Sequence, residues 1–186
     1  GEKIFIDSLK NFHKEHGTAL SHEIFYHERL NYFNNCFVFQ YLLKDSKKTP
    51  FELFKGASKK KMEQISYRHS LFLVTKTNKK ITKVTDLLDK NKKFTINNGS
   101  TMMDALEKKT ILQGLLFEQK PFSQLARGFL LHPSSVAKNL TKSYRKKLKR
   151  KCFCKASFLK TLAQNNLNYL RNTKLDLKLT YKHLYN

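Results

Sequence analysis

Between Glu118 and Asp176 the chain carries no acidic residue, yet that stretch is rich in Leu, Phe and Val. Core-forming residues make a segment fold. A folded segment of this kind must then place its Lys and Arg side chains on a surface with nothing of opposite sign beside them. Such a surface repels itself unless a polyanion covers it, and nucleic acid is the commonest polyanion. The whole chain leans the same way: residues 1–100 hold 19 basic and 10 acidic side chains, residues 101–186 hold 18 and 4, and the formal net charge is +23. Hydrophobic residues form 40% of the 186, including 15 Phe and 8 Tyr, which suffices for a core and argues against global disorder. No apolar run approaches the roughly 20 residues of a membrane span. The first residues lack a signal-peptide layout. Cys36, Cys152 and Cys154 make no disulfide framework and suit a reducing compartment. These features lead us to expect a cytoplasmic protein that does not engage a membrane.

The texture of the sequence changes partway along. Residues 1–16 show helical spacing through Ile4, Phe5, Leu9 and Phe12, and Gly17 breaks it. Residues 22–44 are rich in Phe, Tyr and Val and read as two strands turning at Asn34-Asn35. Residues 45–50 read as a loop and 51–66 as a helix. Residues 70–77 read as a strand, with a turn at Asn78-Lys79-Lys80. Asn97-Asn98-Gly99-Ser100 resembles a linker. Beyond it, helices are expected over 103–119, 122–131, 134–150 and 155–170, separated by breaks that include Pro121 and His132-Pro133. The expected fold class is therefore α+β. A mixed α/β sensor or dimerisation domain at 1–97 and a linker at 98–101 precede an all-α, four-helix helix-turn-helix domain at 102–186 that ends in a helical tail.

The segment 134–150 separates into two faces. At about 100° per residue, Val136, Ala137, Leu140, Tyr144 and Leu148 fall on one side. Lys138, Lys142, Arg145 and Lys149 fall on the other as a narrow stripe flanked by Ser134 and Thr141. One face is suited to packing, the other to phosphates and base edges. Pro133 suits a helix beginning, and Ser134 or Ser135 could cap it. Ten residues before Val136, Ala126 is a small residue where a preceding helix could cross closely. Leu131-His132-Pro133 is a connection of helix-turn-helix length.

On these residues the segment 105–160 resembles the LuxR/GerE-type helix-turn-helix of bacterial transcription regulators. Leu115-Leu116 match the apolar pair ending the family's first helix, and Leu125-Ala126 match the pair on its scaffold helix. His132-Pro133-Ser134-Ser135-Val136 match the start of its recognition helix. Lys147-Leu148 and the Cys152 to Lys155 step match the approach to its fourth helix. Gln119, Asn139 and Ser143 stand where the family usually has Gly, His and Ile. The resemblance implies a bacterial, dimeric, sequence-specific regulator of double-stranded DNA. In it Ser134, Ser135, Lys138, Thr141 and Lys142 would face bases, and Lys120, Arg127, Arg145, Lys146 and Lys149 would hold phosphates. It also implies a small-molecule or protein signal at the N-terminal domain, where Phe25, Tyr26, Tyr32, Phe33, Phe37, Phe39 and Tyr41 could line a pocket or simply form core.

Two rival readings follow from the same charge, beside a third in which the chain is an adaptor that binds acidic protein or lipid. One is an RNA-binding or ribosome-associated protein. The other is an enzyme that processes nucleic acid, which would need a carboxylate cluster for Mg²⁺; Asp86 and Asp89 are the only close aspartates. His13, His16, His22, His27 and Cys36 fit no zinc spacing and read as surface residues. His69 beside Ser70 has no orienting acid in view. Nothing calls for a cofactor, a metal or an enzymatic activity.

Overall fold

The computed structural model of the chain describes residues 2–44, 46–54, 66–89, 92–98, 106–149, 153–172 and 174–184. Two helices come first, α1 (Glu2–His16) and α2 (Tyr26–Gln40), then the single turn α3 (Pro50–Leu53). Six strands follow: β1 (Ser66–Thr77), β2 (Ile81–Asp86), β3 (Lys93–Asn97), β4 (Ile111–Glu118), β5 (Gln124–Leu125) and β6 (Leu130–His132). A 3₁₀ turn at Ser134–Val136 leads into α4 (Ala137–Leu148), α5 (Lys155–Arg171) and the short α6 (Leu177–Thr180).

The strands form one antiparallel sheet in the order β3-β2-β1-β4-β5, and β6 pairs beside β5 on the same side of β4. A parallel bridge between Ile96 and Ser123 joins the two ends, with the Ser123 N–H donating to the Thr95 carbonyl at 2.8 Å. The sheet thus curls into a small barrel. Alternation along each strand decides what fills it. Phe72 and Val74 of β1, Val84 of β2, Phe94 and Ile96 of β3, Leu112 and Leu116 of β4, and Leu125 form the inner core. The opposite face of β1 and β4 packs against helices. Leu71 and Ile111 meet Val136, Leu140 and Tyr144 from the α4 side and Phe158, Leu159 and Leu162 of α5. Phe12 of α1, Tyr32 and Phe33 of α2, and Ala163 of α5 make a neighbouring cluster with Leu130.

This arrangement overturns the expected fold class of an N-terminal α/β domain followed by an all-α helix-turn-helix domain. The expected helix at 103–119 is, where described, β4. Ile111 to Leu116 are six consecutive buried residues, the signature of a strand covered on both faces. The expected scaffold helix at 122–131 is extended chain carrying β5 and part of β6, so Ala126 crosses no helix. Its N–H instead donates to the Leu115 carbonyl. The expected strands in 22–44 are α2, because Leu30, Phe33 and Phe37 recur at three and four residues and pack together against α1. The helices at 1–16, 134–150 and 155–170 form close to where the spacing placed them, and the expected strand at 70–77 lies within β1, which begins earlier, at Ser66. Of the expected helix at 51–66, only Phe51–Leu53 of α3 are described as helical, and residues 55–65 lie outside the described residues. The expected linker at 98–101 also lies outside them, except for the buried Asn98.

Candidate nucleic-acid interface

Helix α4 exists because one of its faces is apolar at the right spacing. Val136, just before it, and Leu140 are fully buried, and Tyr144 nearly so. The last turn carries Arg145, Lys146 and Lys147, where cations complement the helix dipole. Lys138, Lys142, Arg145 and Lys149 are all exposed and lie on the side turned away from that core. Lys146 is exposed beside them, and Ser134 and Ser135 are exposed in the 3₁₀ turn. Neither serine caps the helix, since neither the turn nor α4 has a side-chain cap bond at its start. Thr141 is half-buried and donates its hydroxyl to the Ala137 carbonyl at 2.9 Å. Among the described residues no carboxylate forms an ion pair with Lys138, Lys142, Arg145, Lys146 or Lys149. Lys120 and Arg127 lie elsewhere, on the connections before and after β5, and both are exposed.

A second basic surface escaped the sequence reading. The helices cover the outer face of β1 and β4 but leave that of β2 and β3 open. Lys83 and Thr85 of β2 and Lys93, Thr95 and Asn97 of β3 point outward there, alternating with the inner residues. Lys76 pairs directly opposite Lys83 across β1 and β2, and both are exposed. Like charges in cross-strand register destabilise a sheet, so this placement favours an external anion. Lys79 and Lys80 extend the patch into the β1–β2 turn. The Ser123–Thr95 bond brings the β4–β5 turn, with exposed Lys120 and Phe122, alongside β3. Period-two alternation of Lys and Thr in ITKVTD and KFTIN was the available signal, once those segments are known to be strands.

The close aspartates Asp86 and Asp89 are engaged with a cation. The Arg68 guanidinium bonds Asp86 at 3.3 Å, Asp89 at 2.5 Å and Glu118 at 2.5 Å, and Lys92 bonds Glu118 at 2.8 Å. Asp86 also accepts from the Ser70 hydroxyl at 2.6 Å and the Leu88 N–H at 2.9 Å. Ser70 and His69 face opposite sides of β1, so they form no nucleophile pair. His69 instead meets the Tyr32 hydroxyl at 2.9 Å. Among the described residues no group of three His, Cys, Asp or Glu side chains converges on a metal position. His16, expected on the surface, is buried and stacked on Phe12 at 4.1 Å. Among the described residues no helix is long and apolar enough to cross a membrane.

What this arrangement can do chemically is attract and hold phosphates on two faces, with one exposed aromatic ring beside the second. Comparison with known proteins adds no relative to that description: the chain matches no family model, no curated protein and no solved structure.

Proposed function

We propose that this chain is a nucleic-acid-binding protein that holds phosphates with the exposed stripe of α4 and lays a single strand over the open face of its barrel. The observation that carries the reading is the stripe itself: Lys138, Lys142, Arg145 and Lys149 side by side, exposed, with no carboxylate paired to them among the described residues. Phosphate contacts of this kind supply sequence-independent affinity through release of counterions. The barrel supports a single strand over a duplex. Its strand order, β1-β2-β3-β5-β4 and back to β1, is that of OB-type Greek-key barrels. In those barrels the β2–β3 face and the β1–β2 and β4–β5 loops form the oligonucleotide surface. Fold alone assigns no function; here the same places carry Lys79, Lys80, Lys83, Lys93, Lys120 and the exposed Phe122. An aromatic ring beside a basic track is the recurrent way of stacking successive bases without reading them.

A second reading places α4 in the major groove of double-stranded DNA, with Lys138 and Lys142 toward bases. Its support is the exposure of that face. It lacks the scaffold helix that would fix the approach, because that segment is β5 and β6.

Fluorescence anisotropy with a single-stranded oligonucleotide and the matching duplex, across a salt series, tests the proposal. We expect the single strand to bind more tightly, with log affinity falling linearly in log salt. Reversing two stripe charges, Lys142→Glu with Arg145→Glu, should flatten that slope by about 1.4, or roughly 0.7 per lost phosphate contact. Tighter and sequence-dependent duplex binding would install the DNA reading. An unchanged slope would remove α4 from the interface.

A further inference from the structure

A cleft of about 330 Å³ opens between α1, α2 and the start of α5, and His69 of β1 lines it from the sheet side. That volume is at the lower end of ordinary small-molecule sites, which run from about 300 to 1,000 Å³. The walls are largely rings: Phe12, Phe33, Phe37 and Tyr41. Phe37 and Tyr41 lie within 28° of parallel, and Phe12 stacks on His16 at 16°.

Polar groups are set among these rings, and hydrogen bonding limits what several of them can offer. Gln113 Nε2 donates to the Tyr32 hydroxyl at 2.6 Å, and that hydroxyl meets His69 Nε2 at 2.9 Å. His69 Nδ1 has no partner among the described residues, and the neutral ring presents it to the cleft as a donor or an acceptor according to the tautomer. His16 donates from Nδ1 to the Phe12 carbonyl at 3.3 Å, leaving Nε2 as an acceptor. Gln40 Nε2 is buried and unpartnered, a state that native proteins relieve with a ligand or an ordered water. Burial lowers His16 to about 4 and His69 to about 3, so both rings are uncharged near neutrality. Glu15 and Lys160 cancel each other at 2.5 Å. The cleft therefore offers flat walls, polar groups that can both donate and accept, among them His69, His16, Gln40 and Asn11, and no net charge.

We propose that this cleft binds one unpaired nucleobase, stacked against the aromatic walls and bonded at its edges by His69, His16 and Gln40. Planarity matches the rings. Neutrality matches the uncompensated but uncharged polar set. Mixed donors and acceptors along an edge are what a base presents and what an aliphatic or anionic metabolite does not. The base could arrive as a free nucleoside or as an unstacked residue of a bound strand. Only the second source rests on the nucleic-acid reading above, and the cleft uses none of the α4 stripe.

Calorimetric titration of the full chain with adenosine, guanosine, cytidine and uridine, and separately with a short single-stranded oligonucleotide, tests this. Two variants report on the cleft. Gln40→Leu removes the unpartnered donor at nearly constant shape. Ala156→Phe fills the cleft from α5, at an exposed position where a larger side chain is tolerated. At least one nucleoside should bind, and each variant should weaken it about tenfold or more while the melting temperature holds. If only the oligonucleotide binds and both variants weaken it, the base belongs to a strand. The proposal is overturned if no nucleoside binds and the variants leave oligonucleotide affinity unchanged, or if nucleosides bind equally to all three proteins. The doubly reversed α4 variant should lose oligonucleotide affinity and keep nucleoside binding, which separates failure of this inference from failure of the proposed function.

Discussion

At the scale of single residues, a buried polar chain runs through the core beside its apolar packing. His69, Tyr32, Gln113, His132 and Tyr181 bond in sequence, with Gln113 Oε1 accepting from His132 Nε2 at 2.9 Å and His132 Nδ1 meeting the Tyr181 hydroxyl at 2.9 Å. Burial lowers both His69 and His132 from 6.5 to about 3. In the unfolded chain each takes a proton near pH 6.5, whereas in the folded chain each resists until near pH 3. Their neutral state thus contributes stability that is complete above pH 6.5 and is lost progressively as the pH falls toward 3. Each fully engaged ring adds about 1.4 kcal/mol per pH unit. Urea unfolding between about pH 7.5 and 5, above most carboxylate titration, should show this decline; a flat profile would mean that burial does not hold these rings neutral. Gly128 is a second single-residue constraint. Its φ is +79°, and a Cβ there would lie 2.4 Å from both the Asn31 Cβ and the Tyr32 nitrogen. Gly128→Ala should therefore cost about 2–4 kcal/mol, read as a lowered urea midpoint. A near-neutral change would show that the β5–β6 corner does not rest on α2 this closely.

At the scale of elements, α4 shows how one helix divides its labour between faces. Leu140 is fully buried while Lys142 is exposed. Leu140→Ala should cost about 2–5 kcal/mol of stability. Lys142→Ala should change stability by no more than about 0.5 kcal/mol yet weaken binding to every nucleic acid sequence alike. Paired thermal melts and binding isotherms would check both, and a Lys142→Ala variant that loses stability without losing affinity would undo the division. Other elements were harder to read in advance. The aromatic run of α2 has strand-like composition, but its three-and-four spacing governs because Phe33 and Phe37 must meet Phe5 of α1. In β4 the Leu pairs suggest a helix, while Gly114 in their midst serves a close crossing: a Cβ there would stand 3.0 Å from the Phe129 Cβ. Neither the partner helix nor the crossing β5–β6 connection is visible from a local window.

At the scale of the whole molecule, charge is arranged as sharply as hydrophobicity. Among the described residues of the sheet, the acids Asp86, Asp89 and Glu118 gather on Arg68, binding β1 to the β2–β3 connection and to β4, while lysines spread over the outside. Asp86 is fully buried, so removing its cationic partner strands it. Arg68→Met should cost about 3 kcal/mol in urea unfolding; a loss below about 1 kcal/mol would place the cluster with ordinary surface pairs. The sequence by itself determined the polycationic character, the helices at 1–16 and 155–170, the apolar and basic faces of α4, and the strand at 70–77, because each depends on composition or on spacing within one element. Only the tertiary structure decided that 111–132 is sheet rather than a helical pair, since long-range pairing of β4 with β1 satisfies that backbone and buries both of its faces. The open β2–β3 face and the aromatic cleft belong to the same class. Each gathers residues far apart in the chain, and what makes it a surface or a pocket is which neighbours the folded chain places, or leaves out, beside it.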